Sequence, residues 1–452
     1  MTEWLLAIEQ GKTMSEVNRT NLYQETHARP YLSLPVPCAV GHILYWRGDR
    51  QSSALLDLAK ALANRQGVNP SNKQNTFFEY TCQNYHIRFE QHTEFDTLTI
   101  AQSISPEAEL FGDNPLGIIE DGLLQALEPN LLVKTRIHLL LHPADGSRAD
   151  EPTTELPNSH IGAQFSDING SAAIYGSWIM GRRAEAYSDF KLDAQGYSRF
   201  LVVSHALNPA DAGRVVTRLL EMENYRITAL IPLDVTRAVS KTLSQADARL
   251  VRILDEIADS DSAEKQHDLL NDLLAIAQQV ESHRNQLSSR FSASQAYYEL
   301  VKFSYEKLNE EKLGGLQRLQ TFVERRLGPA IRTFSALRAR LEDISQRVDR
   351  IAELLRTEIN VHMQLQNSEM LAGMNHSAKM QLKMQKTVEG ISIVALTYYA
   401  IGVLGYLLAI FLHGDDKYTV MGLLVLPVAA LIWYLQKKIL HRINASTHLD
   451  EE

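Results

Sequence analysis

Residues 398–417 read YYAIGVLGYLLAIFLHGDDK. The run is apolar, carries tyrosines and glycines at helical spacing, and ends in two aspartates. Working outward, no charged residue occurs from Ile391 to Leu412, enough helix to cross roughly 30 Å of hydrocarbon at about 1.5 Å per residue. After HGDDK, a second apolar stretch from Tyr418 to Leu435 ends beside Trp433 and Tyr434, whose rings suit a membrane interface. Two spans joined by a short acidic loop make a hairpin.

Charges around the hairpin predict its orientation. Lys379, Lys383 and Lys386 precede the first span and Lys437, Lys438 and Arg442 follow the second, whereas the loop holds two acids and one lysine. Basic clusters remain on the cytoplasmic side, so both termini are expected there. A buried hairpin of a soluble protein would have no need of such flanks.

The rest of the chain divides by pattern. Residues 1–234 alternate short strand-like and helical segments and predict a cytoplasmic α/β domain. QSSALLDLAKALANRQG predicts a helix, and GHILYWRG, NYHIRFEQHTEFDTLTIAQ and VKTRIHLLLH predict strands. The segment SAAIYGSWIMGRRAEAYSDFKLDAQGYSRFLVV predicts antiparallel strands with tight turns, one at DAQG. Asn208 followed by Pro209 predicts an N-cap and first helical position for ADAGRVVTRLLEMENYRITALI. The polar, aperiodic HPADGSRADEPTTELPNSH predicts a surface loop.

From 235 to 388 apolar residues recur at spacings of three and four, through Leu273, Ile276, Val280, Leu287 and Phe291, then Val323, Leu327, Phe334, Leu337, Leu341 and Ile344. This predicts a long helical, coiled-coil-like stalk, with Pro329 expected to bend or break it. About sixty further residues would extend it on the order of 90 Å toward the bilayer. The two spans with their loop occupy 389–436, and 437–452 form a cytoplasmic tail.

Composition narrows the function. The 452 residues are 45% hydrophobic and 22% charged with a formal charge of −9, which argues against a nucleic-acid partner. Two cysteines, Cys38 and Cys82, form neither a metal knuckle nor a disulfide framework. The opening MTEWLLAIEQGK lacks a basic region followed by a long apolar one, so no secretory signal is expected. GxxxxGK, GxSxG, HExxH and the dinucleotide-binding glycine fingerprint are absent, and the expectation is a protein without enzymatic activity.

Four groups of residues are candidates for function. Ser392, Ala395, Tyr399, Gly402 and Tyr406 recur at three and four, forming a small and polar stripe that avoids lipid by packing on another helix or by bordering water. Asp415 and Asp416 lie at the mouth of such a path, where an oligomer would gather them into an acidic ring; alone they are ordinary loop solubility. In HIRFEQHTE a strand would put His86, Arg88, Glu90, His92 and Glu94 on one face. Imidazole and carboxylate there suit a divalent cation, the only cofactor class suggested; the plain alternative is a solvated face. His27 and Arg29 in THARP suit an anionic group, or else a structural turn.

The blocks NLYQETHARPYLSLP, IRFEQHTEF, AGRVVTRLLEMENYRITALIPL and TVEGISIVALTYYAIGVLGYLL resemble a bacterial family of membrane-anchored proteins classed as a domain of unknown function. That resemblance spans nearly the whole chain and implies the bacterial inner membrane. The order of parts is also similar to CorA-type divalent-cation transporters, in which the first span lines the pore of a pentamer and ends in Gly-Met-Asn. Here HGDD stands after the span instead. The similarity implies a CorA-like architecture: an oligomer, a pentamer by analogy, that moves cations across the lipid bilayer. The alternative is a non-conducting membrane-anchored scaffold or sensor.

Overall fold

The computed structural model describes residues 31–48, 53–65, 76–142, 165, 173–258, 262–408 and 416–447. The chain forms two compact units, 1–259 with 269–350 and 260–268 with 351–452.

The first unit is built on one mixed sheet. Its strands are β1 (Cys38–Trp46), β2 (Phe77–Cys82), β3 (Tyr85–Gln91), β4 (Phe95–Ser103), β5 (Leu131–Leu141), β6 (Tyr175–Ile179), β7 (Ala184–Leu192), β8 (Ser198–Ser204) and β9 (Glu311–Lys312). They lie in the order β2-β3-β4-β1-β5-β8-β7-β6-β9. Among the described strands only the central β5–β8 pair is parallel. The expected hairpins form, and DAQG closes the β7–β8 turn with Gly196 at φ +80°, a conformation a side chain would oppose.

Each face of the β1–β4 half has its own cover. Ile43, Ile87, Phe89, Leu98 and Ile100 pack against Leu55, Leu58 and Leu62 of α1 (Ala54–Arg65) and Leu127 of α2 (Asp121–Leu127). The opposite face lies under α3 (Pro209–Thr228). As the sequence predicts, Asn208 caps α3, accepting from the Asp211 N–H at 2.8 Å, with Pro209 in the first helical position. Gly213 lets the chain at Leu32 pass directly over α3, since a Cβ there would sit 1.7 Å from the Leu32 carbonyl oxygen.

Three helices continue the unit: α4 (Leu233–Ala258), α5 (Ala263–Leu308) and the first part of α6 (Leu319–Leu408). Their predicted apolar seam is buried, with Phe291 stacked on Phe334 at 5.5 Å between centroids. Arg340 and Arg347 both bond Asp247, tying α6 to α4. Two details differ from the sequence reading. The segment expected to be a helical stalk contributes strand β9, which pairs with β6 at the sheet edge. Of the bend or break expected at Pro329, the break does not occur, helix α6 being continuous there. Val323, Leu327, Ile331 and Phe334 are buried on both sides of the proline, and their packing offsets the one missing backbone bond, a cost of about 3 kcal/mol.

In the second unit the remainder of α6 and helix α7 (Asp416–Thr447) are mostly exposed. Both helices are long and apolar enough to cross a membrane. They touch where Gly405 meets Met421, a Cβ at Gly405 falling 2.8 Å from the thioether. Pro427 lies inside α7.

Candidate functional site

The α3-covered face of the sheet is polar where the opposite face is apolar. Strand β4 reads F-D-T-L-T-I, so Phe95, Thr97 and Thr99 share one side while Leu98 and Ile100 take the other. Pairing sets His42 of β1 opposite Thr99, and Arg88 and Glu90 of β3 opposite Thr99 and Thr97. Helix α3 adds Thr217, Leu220, Glu221, Asn224 and Tyr225, and Tyr31 and Leu32 close one side. Together with His92 these groups enclose a cavity of ≈ 220 Å³.

Its walls hold charges in fixed pairs. Arg88, 4% exposed, donates to Glu90 at 2.9 Å, lies 3.8 Å from Glu79, and stacks over Phe77. His42 bridges Thr99 through Nδ1 at 2.8 Å and Asn224 through Nε2 at 3.1 Å. Burial pushes its imidazole down to about 4, so the ring is neutral. Burial likewise raises the Glu221 carboxyl, and Glu90 adds repulsion, against the opposing pull of Arg218 at 2.7 Å. Arg218 also bonds the Tyr31 hydroxyl and lies over the Tyr31 and Phe303 rings.

The predicted β3 face is divided by the end of the strand at Gln91. Glu90 and His92 line the cavity, with the His92 ring stacked on Phe95 at 4.5 Å. His86 turns to Glu79 at 2.8 Å and Thr81 at 3.0 Å. Glu94 accepts from Arg290 and Tyr297, each at 2.7 Å, fastening the β3–β4 turn to α5. Among the described residues no group of three or more His, Cys, Asp or Glu side chains is arranged to hold a metal ion. His27 and Arg29 lie outside the described residues, as do Asp415 and residues 143–160, where the sequence predicts a surface loop, while Asp416 opens α7.

In the first span Ser392 is half-buried, and Ala395, Tyr399, Gly402 and Tyr406 are exposed, the two tyrosines at 71% and 82%. Buried Thr397 and Gly405 lie on another side of the helix. The Ser392 and Thr397 hydroxyls bond backward to Val388 and Ile393, satisfying them inside the helix.

Sequence reasoning did not assign His42, Thr97, Thr99, Glu221 and Asn224 to a site. One signal was available in the hydroxyls alternating with apolar residues in β4. Another was the spacing of Glu221, Asn224 and Tyr225 at three and one, which interrupts the apolar face of α3.

A family model described as Protein of unknown function (DUF3422) matches residues 15–443, so the chain belongs to that family. Comparison with curated proteins found no match.

Proposed function

We propose that this DUF3422 protein is a non-conducting, membrane-anchored receptor whose α/β domain binds a small polar solute in the cavity between sheet and α3. On this reading the two spans anchor the protein in the inner membrane with both termini in the cytoplasm, an orientation supported by the basic flanks of the hairpin. The observation that carries the reading is the contrast between two faces of the same strands. One is filled by Ile87, Phe89, Leu98 and Ile100; the other surrounds open space with Arg88, Glu90, His42 and Thr99. A sheet face serving stability alone is filled most favourably by apolar side chains, since buried polar groups cost energy unless partnered. Polar groups converging on a concavity are what a ligand site requires.

We also read the protein as a homo-oligomer. Met363, Met370, Met374, Met384 and Val388 are exposed along one face of α6, and a bilayer holds copies of that helix parallel.

A second reading, cation conduction, draws on the exposure of Tyr399 and Tyr406, which leaves them available to a pore between subunits. One preparation of full-length protein in lipid separates the two. The receptor reading expects Mg²⁺ and K⁺ flux into proteoliposomes no faster than into empty vesicles. It also expects saturable calorimetric binding of at least one solute among butane-1,4-diamine, choline, myo-inositol and succinate. Protein-dependent flux with no solute bound would replace it by the channel.

A further inference from the structure

Resting on the receptor reading, we propose that the cavity selects a small organic cation, a solute carrying an ammonium group held by Glu90 and Glu221. The first support is the direction of the hydrogen bonds in the wall. With Asn224 Oδ1 facing the His42 ring, Nε2 carries the proton and donates to it. Nδ1 then accepts from the Thr99 hydroxyl, whose lone pairs remain as acceptors. The principal charged donor, Arg88, is already engaged by Glu90 at 2.9 Å and lies 3.8 Å from Glu79. The cavity is thus offered the Thr99 lone pairs together with the Glu90 and Glu221 carboxylates as acceptors, and an ammonium is a compact set of donors.

Charge points the same way. Three carboxylates, Glu79, Glu90 and Glu221, meet two guanidiniums, Arg88 and Arg218, around this end of the sheet. Burial raises the Glu221 carboxyl and Glu90 repels it, so a cation between the two would stabilise both as carboxylates. An anion would meet that repulsion instead.

The apolar part of the wall fits as well. Phe95 and Tyr225 meet edge to face with centroids 6.4 Å apart, and Tyr31 lines the same space. Aromatic rings attract ammonium groups once water is displaced. An inorganic ion is a poorer fit, because no metal-holding group of three ligating side chains occurs among the described residues.

The test is calorimetric titration of the full chain in nanodiscs with butane-1,4-diamine, choline, myo-inositol and succinate. Butane-1,4-diamine, which carries N–H donors, is expected to bind at one site per chain, with neither inositol nor succinate competing; binding of choline alone overturns the assignment. Glu221→Gln and Glu90→Gln, which keep shape but remove charge, should each weaken the cation at least tenfold. Melting curves would show that each variant is folded, and one folded variant suffices. Preferred binding of succinate or inositol overturns the cation assignment and leaves the receptor reading standing. Cation binding unchanged in a folded variant also overturns the assignment, because the acidic chain then holds the cation elsewhere. If none of the four solutes binds, both readings fall.

Discussion

His42 sits at the centre of the polar face, joined to Thr99 and Asn224 and held neutral by burial. Because its folded value, about 4, lies below the ordinary 6.5, the unfolded chain takes up a proton first as pH falls. Its contribution is intact above pH 6.5 and is lost on descending toward 4, a change of about 3 kcal/mol. Urea unfolding of wild type and His42→Gln at pH 7.5 and 4.5 should show the variant losing less stability over that interval; parallel losses would contradict this. Glu310 has the opposite sign. Burial lifts its carboxyl to about 7, although Ser177 and the Gln320 N–H donate to it. Its stabilising contribution is full below pH 4.5 and lost as pH rises through 7. Glu310→Gln should therefore melt higher than wild type at pH 8, by up to about 3 kcal/mol, and near wild type at pH 4. At this scale the sequence was partly legible. Alternation in H-I-R-F-E brought Arg88 and Glu90 together on paper, but His42 lies in an apolar strand, 57 and 182 residues from its partners.

Local elements followed from short-range chemistry where that chemistry is self-contained. Asn208 and Pro209 announce α3, and DAQG announces a turn, because each satisfies its backbone within a few residues. Gly213 could not be interpreted that way, since its reason is the distant chain at Leu32. Gly213→Ala should push residues 31–34 off α3, lowering stability by about 3 kcal/mol in urea unfolding; a neutral substitution would contradict the close approach. Pro329 shows the converse, a local breaker overruled by burial on either side. The exposed methionine face gives the proposed oligomer its own test. Met370→Cys should form an inter-chain disulfide in membranes on mild oxidation, whereas Leu365→Cys, 58% exposed on another face, should not. Equal crosslinking of both, or of neither, would argue against that interface.

At the scale of the molecule, periodicity revealed the α/β portion, the helical seam and two apolar helices, since each repeats within a few residues. The strand order was not legible. It depends on pairings across long separations, including the parallel β5–β8 contact and the return of Glu311–Lys312 to the edge at β6. The cavity is a product of that same topology, for β1, β3, β4 and α3 meet only after the sheet has formed.

Hydrogen–deuterium exchange of the full chain in lipid nanodiscs, with and without butane-1,4-diamine, probes the proposal of an anchored receptor most directly. Amides of 391–408 and 419–438 should exchange slowly in both samples, and the diamine should add protection along Thr97–Thr99 and Thr217–Tyr225. Rapid exchange throughout the two apolar segments, or diamine protection confined to them, would contradict the account.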